Sequence, residues 1–265
     1  MYTIDLSGKA GVVAGVSNKW SIAWAIAQIL HEAGMQLILP YSRERRKKGI
    51  EKMVAAEGWK DVFIPPQPCN AGDDIQVQSL FDFVKKEIGY LNCFAHCIGF
   101  APPDALQGKF RETSREAFNV ALDISAFSFV SMTRAASELM SEGGSVIALT
   151  FMASKKVFPS YNVMGTAKAA LEHSVRQLAC ELSSRNIRVN AISPGIVSTK
   201  SARGVKGFGD FRQTYQAHTP LRRMIAQKEV GKTAMFLLSD LSSGITGEVI
   251  HVDGGYHILG GQFQQ

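Results

Sequence analysis

The chain has 265 residues, is 46% hydrophobic and carries a formal net charge of +6 at pH 7. These values predict one large soluble globular domain, and no stretch approaches the roughly 20 apolar residues of a membrane-spanning helix. The positive charge is modest and partly local, so a nucleic-acid partner is not expected. The four cysteines have no paired metal spacing and are typical of free thiols in a reducing cytoplasm, where we expect the protein to act.

Apolar runs alternate with segments of helical periodicity along the whole chain. The predicted strands span residues 9–14, 36–41, 61–64, 92–97, 145–150, 188–193 and 248–252. The predicted helices span residues 21–34, 44–56, 75–88, 115–140, 227–239 and a segment that begins at 161. Continuously apolar strands separated by helices predict a parallel sheet covered on both faces. We therefore expect a single doubly wound, Rossmann-type α/β domain over residues 1–265, with seven parallel strands.

The turn after the first predicted strand, residues 15–22, has the form of a phosphate-binding turn. A helix N-terminus presents free N–H groups, and Gly15 lets the backbone approach a pyrophosphate. Ser21 is suited to cap the helix that follows. Two of the three glycines of the common dinucleotide fingerprint are absent, so a purely structural turn is an equally good interpretation.

The end of the second predicted strand carries bases where a site that binds a ribose 2′-hydroxyl usually has a carboxylate. Ser42 and Arg43 come first, further bases follow as far as Lys47, and Glu44 is the one acid in the run. Arginine binds phosphate in a fork, so the run slightly favours NADPH over NADH. A solvated helix start is the competing interpretation.

Tyr161 and Lys168 lie seven residues apart. Seven residues make about two helical turns, so on one helix the two side chains would share a face. A phenol there can hydrogen-bond an oxygen that gains charge, and an ammonium can hold a cofactor or favour the phenolate. Surface helices often carry both residue types, so the pair by itself does not indicate a catalytic site.

Several collinear motifs supply context for the pair, and together they resemble one family. They lie at residues 15–27, 96–102, 123–125, 159–172, 188–193, 220–223 and 244–255. The chain is similar to the enoyl-acyl-carrier-protein reductases of the divergent branch of the short-chain dehydrogenase/reductase superfamily. The most specific element is the tyrosine seven residues before the lysine. Commoner members of the superfamily have it four residues before, where this chain has Met164.

The resemblance implies transfer of a hydride from NADPH or NADH to a trans-2-enoyl thioester of acyl-carrier protein or coenzyme A. It implies that Tyr161 and Lys168 are the catalytic pair, with Tyr161 bonding the thioester oxygen and Lys168 the cofactor ribose. Besides Gly15, Ser42 and Arg43, the implied cofactor-binding residues are Ser21, Ile22, Asn70, Ala71, Cys97, Gly99, Lys168, Ile196 and Thr199. The implied substrate-binding residues are Phe100, Ala101, Phe151, Tyr161 and Met164, with a loop over residues 197–217. The resemblance also implies a homotetramer.

The chain departs from the family pattern at three places. Phe151 stands where a second tyrosine is usual, Asn70 replaces an acid, and residues 193–195 resemble the commoner superfamily members. A carbonyl reductase of secondary metabolism is therefore an alternative, although Met164 stands where such enzymes have their tyrosine. A dinucleotide-sensing module is a third possibility, disfavoured because it needs neither Tyr161 nor Lys168. The six histidines show no ligand spacing, so no metal is expected.

Overall fold

The computed structural model describes residues 4–158, 160–197 and 215–260 of the chain. Its strands are β1 Ala10–Ala14, β2 Gln36–Ile38, β3 Val62–Phe63, β4 Cys93–His96, β5 Gly144–Leu149, β6 Ile187–Pro194 and β7 Val249–Val252. They form one seven-stranded sheet in the order β3-β2-β1-β4-β5-β6-β7. All pairings are parallel. The prediction of a doubly wound sheet is confirmed.

Helices connect the strands and cover both faces of the sheet. They are α1 Ile22–Glu32, α2 Glu44–Glu57, α3 Asp74–Glu87, α4 Arg115–Leu122, α5 Ser128–Ser137, α6 Val163–Leu182 and α7 Gln227–Leu238. One apolar layer holds α3, α5 and α6 against the sheet, and a second layer holds α1, α2 and α7. Strand β2 ends three residues earlier than predicted, since Pro40 cannot donate a ladder hydrogen bond. Within the described ranges, no helix has the length and apolar character needed to cross a membrane.

The prediction of one continuous helix over residues 115–140 is wrong. A π-helical turn, Asp123–Phe127, separates α4 from α5. Ser125 Oγ in this turn accepts a hydrogen bond from the Phe100 N–H at 2.9 Å and donates one to the Phe100 carbonyl at 3.0 Å. Ser128 Oγ donates to the Ile124 carbonyl at 2.8 Å. The two bonds between Ser125 and Phe100, which lies in a loop distant in sequence, stabilise a wider turn that helical periodicity does not indicate.

The prediction that Tyr161 and Lys168 share one helix is also wrong. Helix α6 begins at Val163, so Lys168 lies on it and Tyr161 precedes it. Ser160 and Asn162 have φ angles of 62° and 40°, outside the right-handed helical region. A tight turn therefore places Tyr161, and its seven-residue spacing from Lys168 does not measure two turns of one helix.

Candidate active site

The site lies at the carboxyl edge of the sheet, where β1, β4 and β5 end side by side. Gly15 follows β1 with a φ of 98°, and a Cβ added there would overlap the carbonyl of Cys97, the residue after β4. Only glycine allows both this backbone conformation and this close approach. The two loops are thus held against each other, and the structure brings Gly15 and Cys97, two of the predicted cofactor-binding residues, together.

The N-terminus of α1 opens beside Gly15. Ser21 caps the helix, because its Oγ accepts the Trp24 N–H at 3.2 Å and donates to the Asn18 carbonyl at 2.8 Å. The first N–H groups of a helix, here beginning at Ile22, have no intrahelical acceptor, and the first turn of α1 contains no acid. This arrangement fits an anionic pyrophosphate.

Lys168 reaches from α6 to the end of β5. Its side chain is buried, and its ammonium donates to the Leu149 carbonyl at 2.7 Å. Burial lowers the pKa of Lys168 from 10.5 to about 8, and the negative charge of Glu172 opposes this shift. An ammonium has three donors, and the described residues take one. Two donors are therefore left for the hydroxyls of a ligand.

Gly99 leaves open surface beside this ammonium. A Cβ added there would lie 3.5 Å from Lys168 Nζ, 3.5 Å from Met164 Cε and 3.9 Å from Ser125 Oγ. The loop after β4, the π-helical turn and α6 therefore meet at one point. Backbone without a side chain at this point suits the face of a flat ring such as a nicotinamide.

Ser125 was not among the predicted site residues, although it belongs to one of the motifs that carry the resemblance. Its Oγ lies 3.6 Å from Met164 Sδ and holds the backbone of Phe100. The π-helical turn brings it to this point, and neither periodicity nor residue type would have shown that. Phe100 itself is 49% exposed, whereas the next residue, Ala101, is buried.

Tyr161 lies against an aromatic wall. Its ring centroid is 5.0 Å from that of Phe151, which is 4.9 Å from that of Phe158. Burial raises the pKa of Tyr161 to about 12, so the phenol keeps its proton at neutral pH and remains a donor. In the part of the chain that the structure describes, no hydrogen bond engages its hydroxyl, and the phenol is available to a substrate oxygen.

The end of β2 presents bases to solvent. Ser42 and Arg43 are exposed, and Arg46 Nη1 donates to the Ser17 carbonyl at 3.0 Å. Glu44 Oε1 accepts the Tyr41 hydroxyl at 3.0 Å. Among the described residues, no ion pair joins Glu44 to the neighbouring bases. Arg43 is thus exposed and makes no ion pair with Glu44.

The remaining predicted cofactor-binding residues are Asn70, Ala71, Ile196 and Thr199. Ala71 and Ile196 are buried, and Asn70 is exposed. Asn70 Oδ1 accepts the Gly72 N–H at 3.3 Å, so its side chain stabilises its own turn. Thr199 and most of the predicted substrate loop, residues 198–214, lie outside the described residues.

Two buried polar residues behind the site were not predicted. Glu172 Oε1 accepts hydrogen bonds from Thr150, the first residue after β5, and from Ser154, the last residue of the short turn Met152–Ser154. His96 Nε2 lies 2.9 Å from Ser128 Oγ, and burial lowers the pKa of His96 to about 3, so the ring is neutral at physiological pH. Composition could not single out either residue, because burial is what makes both unusual.

Comparison with known proteins gives a consistent result. The family model described as enoyl-(acyl carrier protein) reductase matches residues 15–257. The enoyl-[acyl-carrier-protein] reductase [NADH] FabI of Bacillus cereus is 46% identical over 256 residues, covering 96% of this chain and 99% of the relative. The corresponding [NADPH] FabI of Staphylococcus aureus strain MRSA252 is 42% identical over 256 residues, covering 97% and 99%.

Solved structures agree with this result. The Bacillus cereus enoyl-acyl carrier protein reductase with NADP+ and indole naphthyridinone superposes with a TM-score of 0.93 at 46% identity, covering 96% of this chain and 98% of that one. The reductase of Anaplasma phagocytophilum in complex with NAD gives a TM-score of 0.93 at 38% identity, with both chains covered fully. Likeness of this extent covers every element that builds the candidate site.

Proposed function

The chain belongs to the enoyl-acyl-carrier-protein reductase family, and from this premise we propose how its residues carry out the reaction. The activity is the NAD(P)H-dependent reduction of the trans-2 double bond of an enoyl thioester in fatty-acid synthesis. The observation that carries the site assignment is the position of Lys168. Its buried ammonium lies 3.5 Å from where a Cβ at Gly99 would stand, and Met164, which is equally close to that point, belongs to the cluster against which Tyr161 packs. The relatives do not support the alternative of a carbonyl reductase.

The residues present fit a dinucleotide along the carboxyl edge of the sheet. The N-terminus of α1 takes the pyrophosphate, the two remaining donors of Lys168 take ribose hydroxyls, and Gly99 faces the nicotinamide. When bound, the reduced cofactor supplies a hydride to C3 of the enoyl thioester. Ser42 and Arg43 face the adenosine 2′ position, and Asn70, Ala71, Cys97, Ile196 and Thr199 complete the proposed cofactor site.

Tyr161 stabilises the charge that develops during this transfer. As C3 gains the hydride, the thioester becomes an enolate, and negative charge grows on its oxygen. The protonated phenol donates a hydrogen bond to that oxygen, and C2 then takes a proton from water. One such donor in a site without bulk water is typically worth about 3 kcal/mol in the transition state.

The wall beside Tyr161 is apolar. Phe151 contacts the phenol with a ring that can neither donate nor accept a conventional hydrogen bond, so Tyr161 acts as the sole phenol of this pair. Together with Met164, Phe100 and Ala101, it contacts the acyl chain. Residues 197–217 complete the acyl site in this proposal, as a loop of the single domain.

The substrate carrier, assembly and location follow from the same family. The enoyl group is carried by acyl-carrier protein, with coenzyme A as the smaller substitute. The enzyme acts in the cytoplasm as a homotetramer. Its subunits are joined through the outer surface of residues 115–137, here called the α4–α5 face, and through α6, where Ala135 and Ala170 permit close helix packing.

A substrate panel tests the proposed function. Enoyl thioesters of both carriers, with NADH or NADPH in turn, should cause loss of dihydronicotinamide absorbance and formation of the saturated thioester. A ketone panel run with the same protein is the control. Turnover of ketones without turnover of any enoyl thioester would contradict the proposal.

A further inference from the structure

We infer that Glu172 is a positioning residue for this reaction, and that it holds the end of β5 and the ammonium of Lys168 in place through a carboxylate–hydroxyl clamp. The inference rests on the proposed function and deepens it, because Glu172 acts on the cofactor through Lys168. Three hydrogen bonds support it, and they join Lys168 and Glu172 of α6 to Leu149, Thr150 and Ser154.

The first part of the clamp is the carboxylate itself. Glu172 is 4% exposed, and its Oε1 accepts from Thr150 Oγ1 at 2.7 Å and from Ser154 Oγ at 2.6 Å. Burying a carboxylate is costly unless hydrogen bonds compensate it, and hydroxyl donors to an ionised oxygen are among the stronger ones. A surface glutamate would stabilise a helix equally well, so stability alone gives no reason to bury this one.

The second part is Lys168, one helical turn before Glu172. Its ammonium donates to the Leu149 carbonyl, and Thr150, the next residue, donates to Glu172. Two opposite charges on one face of α6 thus bind two adjacent residues at the end of β5. The contact is close along its length, because a Cβ added at Gly165 of α6 would lie 2.8 Å from the Ala153 carbonyl.

The clamp reaches the reacting groups from two directions. The segment that it holds includes Phe151, whose ring lies against Tyr161. On the other side, the carboxylate stabilises the protonated form of Lys168, opposing the burial that lowers its pKa to about 8. Loss of the charge should therefore lower that pKa further and move loss of cofactor binding to lower pH.

The pKa values of other ionisable groups near the clamp are shifted away from that of Lys168. Burial raises the pKa of Cys97 to about 12 and lowers that of His96 to about 3, so both face Lys168 uncharged near neutrality. His251 lies on β7, and burial together with the charge of His257 lowers its pKa. The charge of Glu172 raises that pKa only weakly. Of these groups, Lys168 is the one whose pKa, about 8, lies within the range tested.

The test compares Glu172→Gln with Glu181→Gln, an exposed glutamate on the same helix. NADH affinity is measured by fluorescence from about pH 6 to pH 10, which requires no enoyl substrate and no turnover. The amide of Glu172→Gln still accepts from the two hydroxyls but has no charge. We expect its alkaline loss of affinity about one pH unit earlier than in the parent, a tenfold weaker Kd there, and no change in Glu181→Gln.

A second variant tests the geometric part and does not depend on the first one folding. Thr150→Val removes one hydroxyl and keeps the carboxylate, so we expect about tenfold lower kcat/KM with the alkaline limit at the parental pH. Thr150→Ser should restore activity.

Two results would overturn the inference. One is a folded Glu172→Gln with the parental pH dependence of NADH binding. The other is a folded Thr150→Val with parental kcat/KM. Lys168→Met separates this failure from failure of the proposed function. If that variant binds NADH as the parent does, the role of Lys168 and this inference fall together. If it loses NADH while Glu172→Gln is unchanged, only this inference falls.

Discussion

The ring of Tyr161 lies against the ring of Phe151, with centroids 5.0 Å apart and planes inclined by 57°. The residue that contacts the phenol thus offers only an apolar surface, and burial keeps the phenol protonated to about pH 12. The pair makes a single hydrogen-bond donor beside an apolar ring, an arrangement that can stabilise an oxygen gaining negative charge.

Tyr161→Phe should lower kcat for an enoyl thioester by about 10²–10³-fold and leave the Kd for NADH or NADPH unchanged. The lost hydrogen bond forms mainly in the transition state, so its loss does not change the affinity for the cofactor. Steady-state kinetics and a cofactor titration measure the two effects. Tyr90→Phe removes an exposed phenol and is the matched control. Parental turnover in Tyr161→Phe would exclude the assigned role.

Lys168→Met should weaken cofactor binding and yet stabilise the protein without cofactor at pH 7. Burial lowers the pKa of Lys168 from 10.5 to about 8, so folding disfavours its charged form. Between about pH 8 and pH 10.5 the unfolded chain holds a proton that the folded chain has lost, and stability should rise with pH there. Melting temperatures of parent and variant across this range check the sign. A variant that melts lower than the parent at pH 7 would contradict the expectation.

Arg43→Ala should reduce kcat/KM for NADPH by about tenfold to a hundredfold and leave that for NADH unchanged. Arg43 is exposed at the start of α2, and Glu44 is engaged by Tyr41 instead of neutralising it. The parent should use NADPH slightly better than NADH. Arg45→Ala, on the same helix, controls for loss of general positive charge. Equal loss in both variants would assign the effect to the basic run as a whole.

Gly15→Ala should destabilise the fold by more than about 3 kcal/mol, since it combines a positive φ with overlap against the Cys97 carbonyl. Gly58→Ala shares a positive φ, but a Cβ there meets nothing within 4 Å, so only about 1 kcal/mol is expected. Urea unfolding of the two variants measures the difference. Similar values for both would mean that the loops after β1 and β4 can separate freely.

The chain should form a tetramer that Phe127→Glu disrupts. Phe127 in the π-helical turn is 50% exposed and Val120 on α4 is 36% exposed, and together they leave apolar surface on the α4–α5 face. Light scattering at micromolar concentration gives the mass of both proteins. Leu241→Glu, at another exposed apolar residue, is the control. A monomeric parent would refute the proposed assembly.

The order and type of the elements can be read from the amino-acid pattern. Continuous apolar runs between amphipathic helices have few stable arrangements other than a covered parallel sheet, and such a sheet places its ligands at the carboxyl ends of the strands. Gly15, Cys97 and Gly99 could be assigned to one edge for this reason. The family, too, followed from collinear motifs that need no knowledge of contacts.

The way in which the reacting groups are held depends on contacts between distant segments. Tyr161 lies before α6 because of two positive φ angles, the helix over residues 115–140 breaks where Ser125 binds a loop 25 residues away, and Glu172 binds Thr150 across 22 residues. Each of these features depends on hydrogen bonds or close contacts between segments that the fold brings together. Periodicity records only which face of a segment is buried, so it contains no information about such partners.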